Sequence, residues 1–126
     1  MSLLLDTHVV LWWLGDDPRL GSSTRRQISA ARRILVSAIT PWEIEIERAT
    51  GRLTLPDEYL DAIEESGMEL LPIYPAHAVG AGRLPTHHRD PFDRMLVAQA
   101  RAERAGLVSA DGQFAPYDVE LVDATR

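Results

Sequence analysis

At 126 residues the chain has the length of one domain, enough to remove about two-thirds of its unfolded surface from water. Hydrophobic residues make up 45% and charged residues 25%, a globular balance, and the lack of cysteine excludes disulfide scaffolds, thiolate zinc sites, iron–sulfur clusters and a cysteine nucleophile. The net charge of −6 weighs against a polyanionic partner unless bound cations offset it, and because all 13 basic residues are arginine, lysine chemistry such as a Schiff base or a P-loop is excluded.

Met1 to Leu5 reads as a short buried strand closed by Asp6. Thr7 is the expected cap of a helix through the apolar run Val9 to Leu14, which Gly15-Asp16-Asp17-Pro18 stops. That run falls far below the roughly 20 residues that cross a bilayer, so the expectation is a soluble, cytoplasmic protein without a membrane partner. Ser22 and Ser23 offer caps for a basic helix reaching Arg33, with Ile28, Ala31 and Ala30 as its inner stripe, and Ile34 to Ala38 is the next buried strand.

Thr40-Pro41-Trp42-Glu43 has the form of a helix start, with a threonine cap, a proline at the first position and an acid at the third, and Gly51 is its stop. Asp57 to Ser66 predicts another helix, with Leu60 and Ile63 inward and Gly67 behind it. Met68 to Ile73 is strand-like, Ala76 to Arg83 a short helix, and Leu84 to Arg89 a loop. Asp90-Pro91-Phe92-Asp93 repeats the cap-proline-acid pattern and opens a helix that buries Met95, Leu96, Ala98, Ala102 and Ala105 and stops at Gly106. Leu107 to Ala110 is a strand running into Asp111, and Val119 to Val122 is the last strand. Strands and helices alternate from 1 to 126, which predicts a single α/β domain of three layers around a mainly parallel sheet of about five strands.

In such a sheet, ligands bind outside the carboxyl ends of the strands. Asp6 and Asp111 stand where strands end, while Glu43 and Asp93 sit in the first turns of helices that begin there. Gathered carboxylates repel one another unless they protonate or bind a cation, and an oxygen-only donor set suits Mg²⁺ or Mn²⁺. Two such ions would bring the net charge of −6 to −2. Each acid also has a bland explanation. Glu43 and Asp93 fit helix capping and the helix dipole, Asp6 and Asp111 fit turns or caps, and Asp90 fits a cap that lies one turn from Asp93.

Other polar residues divide in the same way. Thr7 and Ser109 suit either a site or local backbone groups, with the second preferred. His87 and His88 read as loop residues, and His8 and His77 are too scattered to suggest a metal site. Arg25, Arg26, Arg32 and Arg33 form a local basic patch, by default a solvated helix face and alternatively an RNA contact. Trp12, Trp13 and Trp42 suit core or interface more than base stacking. Six consecutive apolar residues cannot share one inward face, so Val9 to Leu14 predicts either a helix buried on several sides or a contact with a homodimer partner or another protein.

Four segments together carry a resemblance: Leu3-Leu4-Leu5-Asp6-Thr7-His8, Ser37 through Ile44, His88 through Ala100, and Val108-Ser109-Ala110-Asp111. The chain resembles the PIN-domain ribonucleases, specifically the VapC toxins of bacterial toxin–antitoxin pairs, in the right order over nearly its full length. The Asp90-Pro91-Phe92-Asp93-Arg94 block is the most specific piece. The resemblance implies that Asp6, Glu43, Asp93 and Asp111 are catalytic acids that hold Mg²⁺ or Mn²⁺, that RNA is the substrate, and that a VapB-type antitoxin is the partner. One departure is Glu47, where relatives often carry a lysine, so no substrate contact is borrowed from that position.

Two other classes compete. A catalytically silent PIN-like binding module would keep the fold without the chemistry, and the four intact acids argue against it. A phospho-accepting signalling domain needs an acidic pair after the first strand and a late lysine, and Asp6-Thr7-His8 with no lysine supplies neither.

Overall fold

The computed structural model describes residues 1–87 and 90–126. Five parallel strands form one sheet: β1 (Ser2–Leu5), β2 (Arg33–Ser37), β3 (Glu69–Leu71), β4 (Gly106–Ser109) and β5 (Leu121–Asp123), in the order β3-β2-β1-β4-β5. Six helices among the described residues accompany it: α1 (Thr7–Leu14), α2 (Ser22–Ala30), α3 (Ile39–Ala49), α4 (Tyr59–Glu65), α5 (Pro75–Arg83) and α6 (Pro91–Glu103). The predicted three-layer α/β architecture is the observed one.

Strand periodicity explains the layers. Side chains alternate across a sheet, so a strand covered on both faces must be apolar at every position. In β1, Leu3 and Leu5 join a core with Val9 and Val10 of α1, Ile28 of α2 and Ile63 of α4, while Leu4 joins Leu96 and Val97 of α6, Leu107 and Phe114 on the other face. All three leucines are fully buried.

Several local expectations are corrected. Asp6, not Thr7, caps α1, accepting from the Val9 amide at 2.9 Å. Neither Ser22 nor Ser23 caps α2, which starts after Gly21 and ends at Ala30, with Thr24 rather than Ala30 turned inward. Gly21 is required there because a Cβ would stand 2.1 Å from the carbonyl carbon of Arg126. The α3 helix begins at Ile39, ahead of the predicted threonine cap, and the Ser37 hydroxyl accepts from the Ile39 amide at 3.1 Å. Tyr59 replaces Leu60 as the buried partner of Ile63 in α4. The α6 helix stops at Arg104, which takes a left-handed φ of 54°, and Gly106 instead opens β4, where Leu3 packs so closely that a Cβ would lie 3.2 Å from its Cδ2. In α6, Val97, Gln99 and Ala100 are buried and Ala102 is exposed.

Candidate active site

Because the strands are all parallel, their carboxyl ends share one edge. Asp6 follows β1 directly, and its amide continues the pairing with β4 by donating to the Val108 carbonyl at 3.1 Å. Ser109 ends β4. Its hydroxyl donates to Asp6 Oδ2 and accepts from the Asp111 amide at 2.9 Å, so one side chain ties both strand-end aspartates together. Asp111 accepts from the Gln113 amide at 2.9 Å, as a cap of the short turn at 112–114. Burial pushes the Asp6 carboxyl above its ordinary value of 3.8, and the charge of Asp111 adds to the rise, while the bonds from Ser109 and Val9 and the charge of His8 oppose it.

Glu43 comes to the same edge from β2 through α3. With α3 starting at Ile39, Glu43 is the fifth helical residue and lies beyond the first turn, so capping does not account for it. Burial raises its carboxyl above the ordinary 4.5, with Asp90 and Glu47 adding to the rise. Opposing them are His8 and a hydrogen bond from Thr7, whose hydroxyl also stands 3.3 Å from that of the buried Thr40. Thr7 therefore serves side chains of the edge rather than the backbone groups expected of it. Asp90 caps α6 as predicted, accepting from the Phe92 amide at 2.9 Å, and its charge also faces Glu43.

Asp93 lies half-buried in the first turn of α6. This helix runs back toward the start of β4, which leaves its N-terminus at the carboxyl edge. Phe92 packs edge-on against Trp42, ring centroids 5.1 Å apart, and this contact draws the starts of α6 and α3 together. Arg94 fastens the same turn, donating to the carbonyls of Ala81 at 2.8 Å, Leu84 at 3.0 Å and Pro85 at 3.1 Å.

The topology thus sends all four predicted acids to one edge. Direct electrostatic coupling joins Asp6 to Asp111 and Glu43 to Asp90. Among the described residues no group of three or more His, Asp or Glu side chains is closed tightly enough to cage an ion unaided. His8 is the residue that sequence reasoning passed over: its charge acts on both Asp6 and Glu43. Its place two residues after Asp6, in the first turn of a helix starting at the edge, was the available signal.

Other candidates fall elsewhere. His77 is buried between α5 and α6, accepting from the Tyr74 amide at 3.1 Å. His87 packs against Tyr117 at 5.4 Å, and His88 lies outside the described residues. The arginines do not form one basic face. Arg25 binds the carbonyls of Asp17 and Leu20, Arg33 pairs with Glu69, and Arg32 precedes and Arg33 opens β2 at the edge opposite the acids.

The apolar run of α1 is divided. Val9 and Val10 are buried, while Leu11, Trp12 and Leu14 line a groove of about 950 Å³ shared with Leu53, Leu55 and Tyr59. His8 and Glu47 stand on the wall of this groove and also act on Glu43, so the groove adjoins the acidic edge. No helix among the described residues is long and apolar enough to cross a membrane.

The family model of the PIN domain matches residues 3–120, a span that runs from β1 to the residue before β5. The chain belongs to the PIN domain family. Ribonuclease VapC22 of Mycobacterium tuberculosis (strain ATCC 25618 / H37Rv) is 29% identical to this PIN domain over 113 residues, 87% of each chain. VapBC2 from Rickettsia felis, solved bound to a DNA fragment from its promoter, superposes with a TM-score of 0.72 at 17% identity over 98% of both chains. DNA-bound VapBC from Salmonella typhimurium gives 0.71 at 18% identity over 98% of this chain and 97% of that one. These structures share the PIN fold.

The donor chemistry of this PIN domain suits a divalent ion. Asp6 and Glu43 are buried enough to be held above their ordinary range, and a cation would relieve that cost. The open arrangement, with carboxylates supplying some positions, matches the habit of Mg²⁺, which keeps water and takes phosphate oxygens for the rest.

Proposed function

We propose that this PIN domain is a metal-dependent endoribonuclease, the toxin of a VapBC-type pair, and that Asp6, Glu43, Asp93 and Asp111 hold Mg²⁺ or Mn²⁺. The observation that carries the reading is that buried Asp6 and half-buried Glu43, both held above their ordinary range chiefly by desolvation, stand at the edge to which Asp93 and Asp111 also come. The likeness to Ribonuclease VapC22 supports RNA as the substrate.

A divalent ion held by Asp6, Glu43, Asp93 and Asp111 would supply activation of water near neutral pH and offset the charge of the phosphate. The protein's part is positioning. Ser109 orients Asp6 and the start of the Asp111 turn, Thr7 orients Glu43, and Asp90 and Arg94 hold the turn that carries Asp93. Water adds across the P–O3′ bond, so one product carries a 5′-phosphate and the other a 3′-hydroxyl.

The partner we propose is a VapB-type antitoxin, as in the VapBC structures that share this fold. The groove along Leu11, Trp12 and Leu14 suits the apolar face of a partner helix, and its wall at His8 and Glu47 leads to Glu43. Incubating the purified protein with a panel of RNAs in Mn²⁺, Mg²⁺ or chelator tests the function. Cleavage with metal and none with chelator is the expected result. No cleavage of any RNA with either metal overturns the reading.

A further inference from the structure

Trp42 is the most exposed of the large hydrophobic side chains beyond the first residue, at 62%, and it lies beside the acidic edge. It directly precedes Glu43 in α3, and the ring it packs against, Phe92, directly precedes Asp93 in α6. The interplanar angle of 63° at 5.1 Å fixes the indole by its contact with Phe92 and leaves much of its surface to solvent. An aromatic pinned in place at the rim of a site presents a stacking surface at little entropic cost.

The charge around it decides what such a surface is for. Glu43, Glu47, Asp90 and Asp93 surround this rim, and Arg94 places its guanidinium on three backbone carbonyls. Among the described residues the side chains at this rim therefore give a phosphate little attraction of their own, apart from any ion the acids hold. Stacking on a base does not depend on charge and tolerates any base, so it can anchor a nucleotide at an acidic rim without a cationic side chain.

We propose that Trp42 is a substrate-binding residue on which an unpaired RNA base next to the scissile phosphate stacks. This rests on the ribonuclease reading above. The indole holds one nucleotide and so sets the distance between that base and the phosphate at the acids. It also requires the substrate to be single-stranded at that position.

Three variants test it, each checked for an unchanged melting temperature and unchanged mass in solution. With Mn²⁺ and a single-stranded RNA that the wild type cleaves, Trp42→Leu should raise KM about tenfold with kcat within about twofold, as expected for loss of one stacked base. Trp42→Phe keeps a ring and should hold KM within about twofold of wild type, whereas Trp42→Ala should behave like the leucine variant. In chelator, saturating the wild type with the same RNA should quench part of the indole fluorescence, and Trp42→Phe should lose that part.

A leucine variant with wild-type KM, or quenching unchanged in Trp42→Phe, overturns the proposal. A change of oligomeric mass in Trp42→Leu also overturns it, since the indole would then be a contact between copies of the chain. Failure of the wild type to cleave any RNA overturns the ribonuclease reading instead, and quenching that depends on Trp42 would still report the stack.

Discussion

Ser109 donates its hydroxyl to the Asp6 carboxylate across a sequence separation of 103 residues and so joins the ends of β1 and β4. The bond stabilises the charged form of a carboxyl that burial pushes the other way. Ser109→Ala should therefore raise the Asp6 carboxyl further and shift the acid limb of the pH–activity profile to higher pH. It leaves a buried carboxylate short of a donor, so stability at neutral pH should fall by about 1–3 kcal/mol. Parallel pH profiles and thermal melts of the variant and wild type check both.

The raised carboxyl of Asp6 fixes the sign of a second effect. Folding disfavours its charged form, so the penalty is absent below the ordinary value of 3.8 and fully present above the raised folded value. In chelator, Asp6→Asn should gain stability relative to wild type at neutral pH, and the gain should shrink as pH falls toward 4. Melting both proteins across that range measures it, and subtracting the two curves cancels the other carboxyls. Adding Mn²⁺ should reverse the order by stabilising the wild type more.

Asp93→Asn keeps the size of the side chain and much of its interaction with the start of α6. Cleavage of RNA should fall below about a hundredth of wild type, the scale seen when a residue central to a site is removed. Stability should change by less than about 1 kcal/mol, the range of a helix-dipole contact. A gel assay beside a thermal melt separates the two quantities.

Gly21→Ala tests the packing of α2 on the end of β5. The added Cβ meets the Arg126 backbone at 2.1 Å, where the Gly21 amide donates to the Ala124 carbonyl at 2.9 Å. The end of β5 must move, which should cost about 1–3 kcal/mol. Because the end of β5 pairs with Ser109 and α2 shares a pocket with Asp111, kcat on RNA should fall together with stability, which a cleavage assay beside a thermal melt checks.

The fold was legible because its strands announce themselves. Leu3-Leu4-Leu5 and Ile34-Leu35-Val36 are apolar on both faces, which only a covered parallel strand requires. Helix starts were less legible, since a Thr-Pro-x-Glu pattern fits a cap wherever it stands. At α3 the cap role belongs to the residues before it, and that error made Glu43 look like a capping acid when it lies a turn too deep for that. For Asp6 and Asp111 the bland reading was correct and incomplete: both cap a following turn and both share Ser109. His8 and Thr7 were missed as neighbours of Glu43 because that proximity depends on the crossing of α1 and α3, which no local pattern encodes.

Manganese binding, measured by titration calorimetry on the purified protein and on Asp6→Asn, Glu43→Gln, Asp93→Asn and Asp111→Asn, tests the shared acidic site most directly. Saturable binding in the wild type and a marked loss of affinity in each of the four variants, with folding retained, is the expected result. Wild-type affinity in all four, or no binding by a wild type that cleaves RNA, would contradict it.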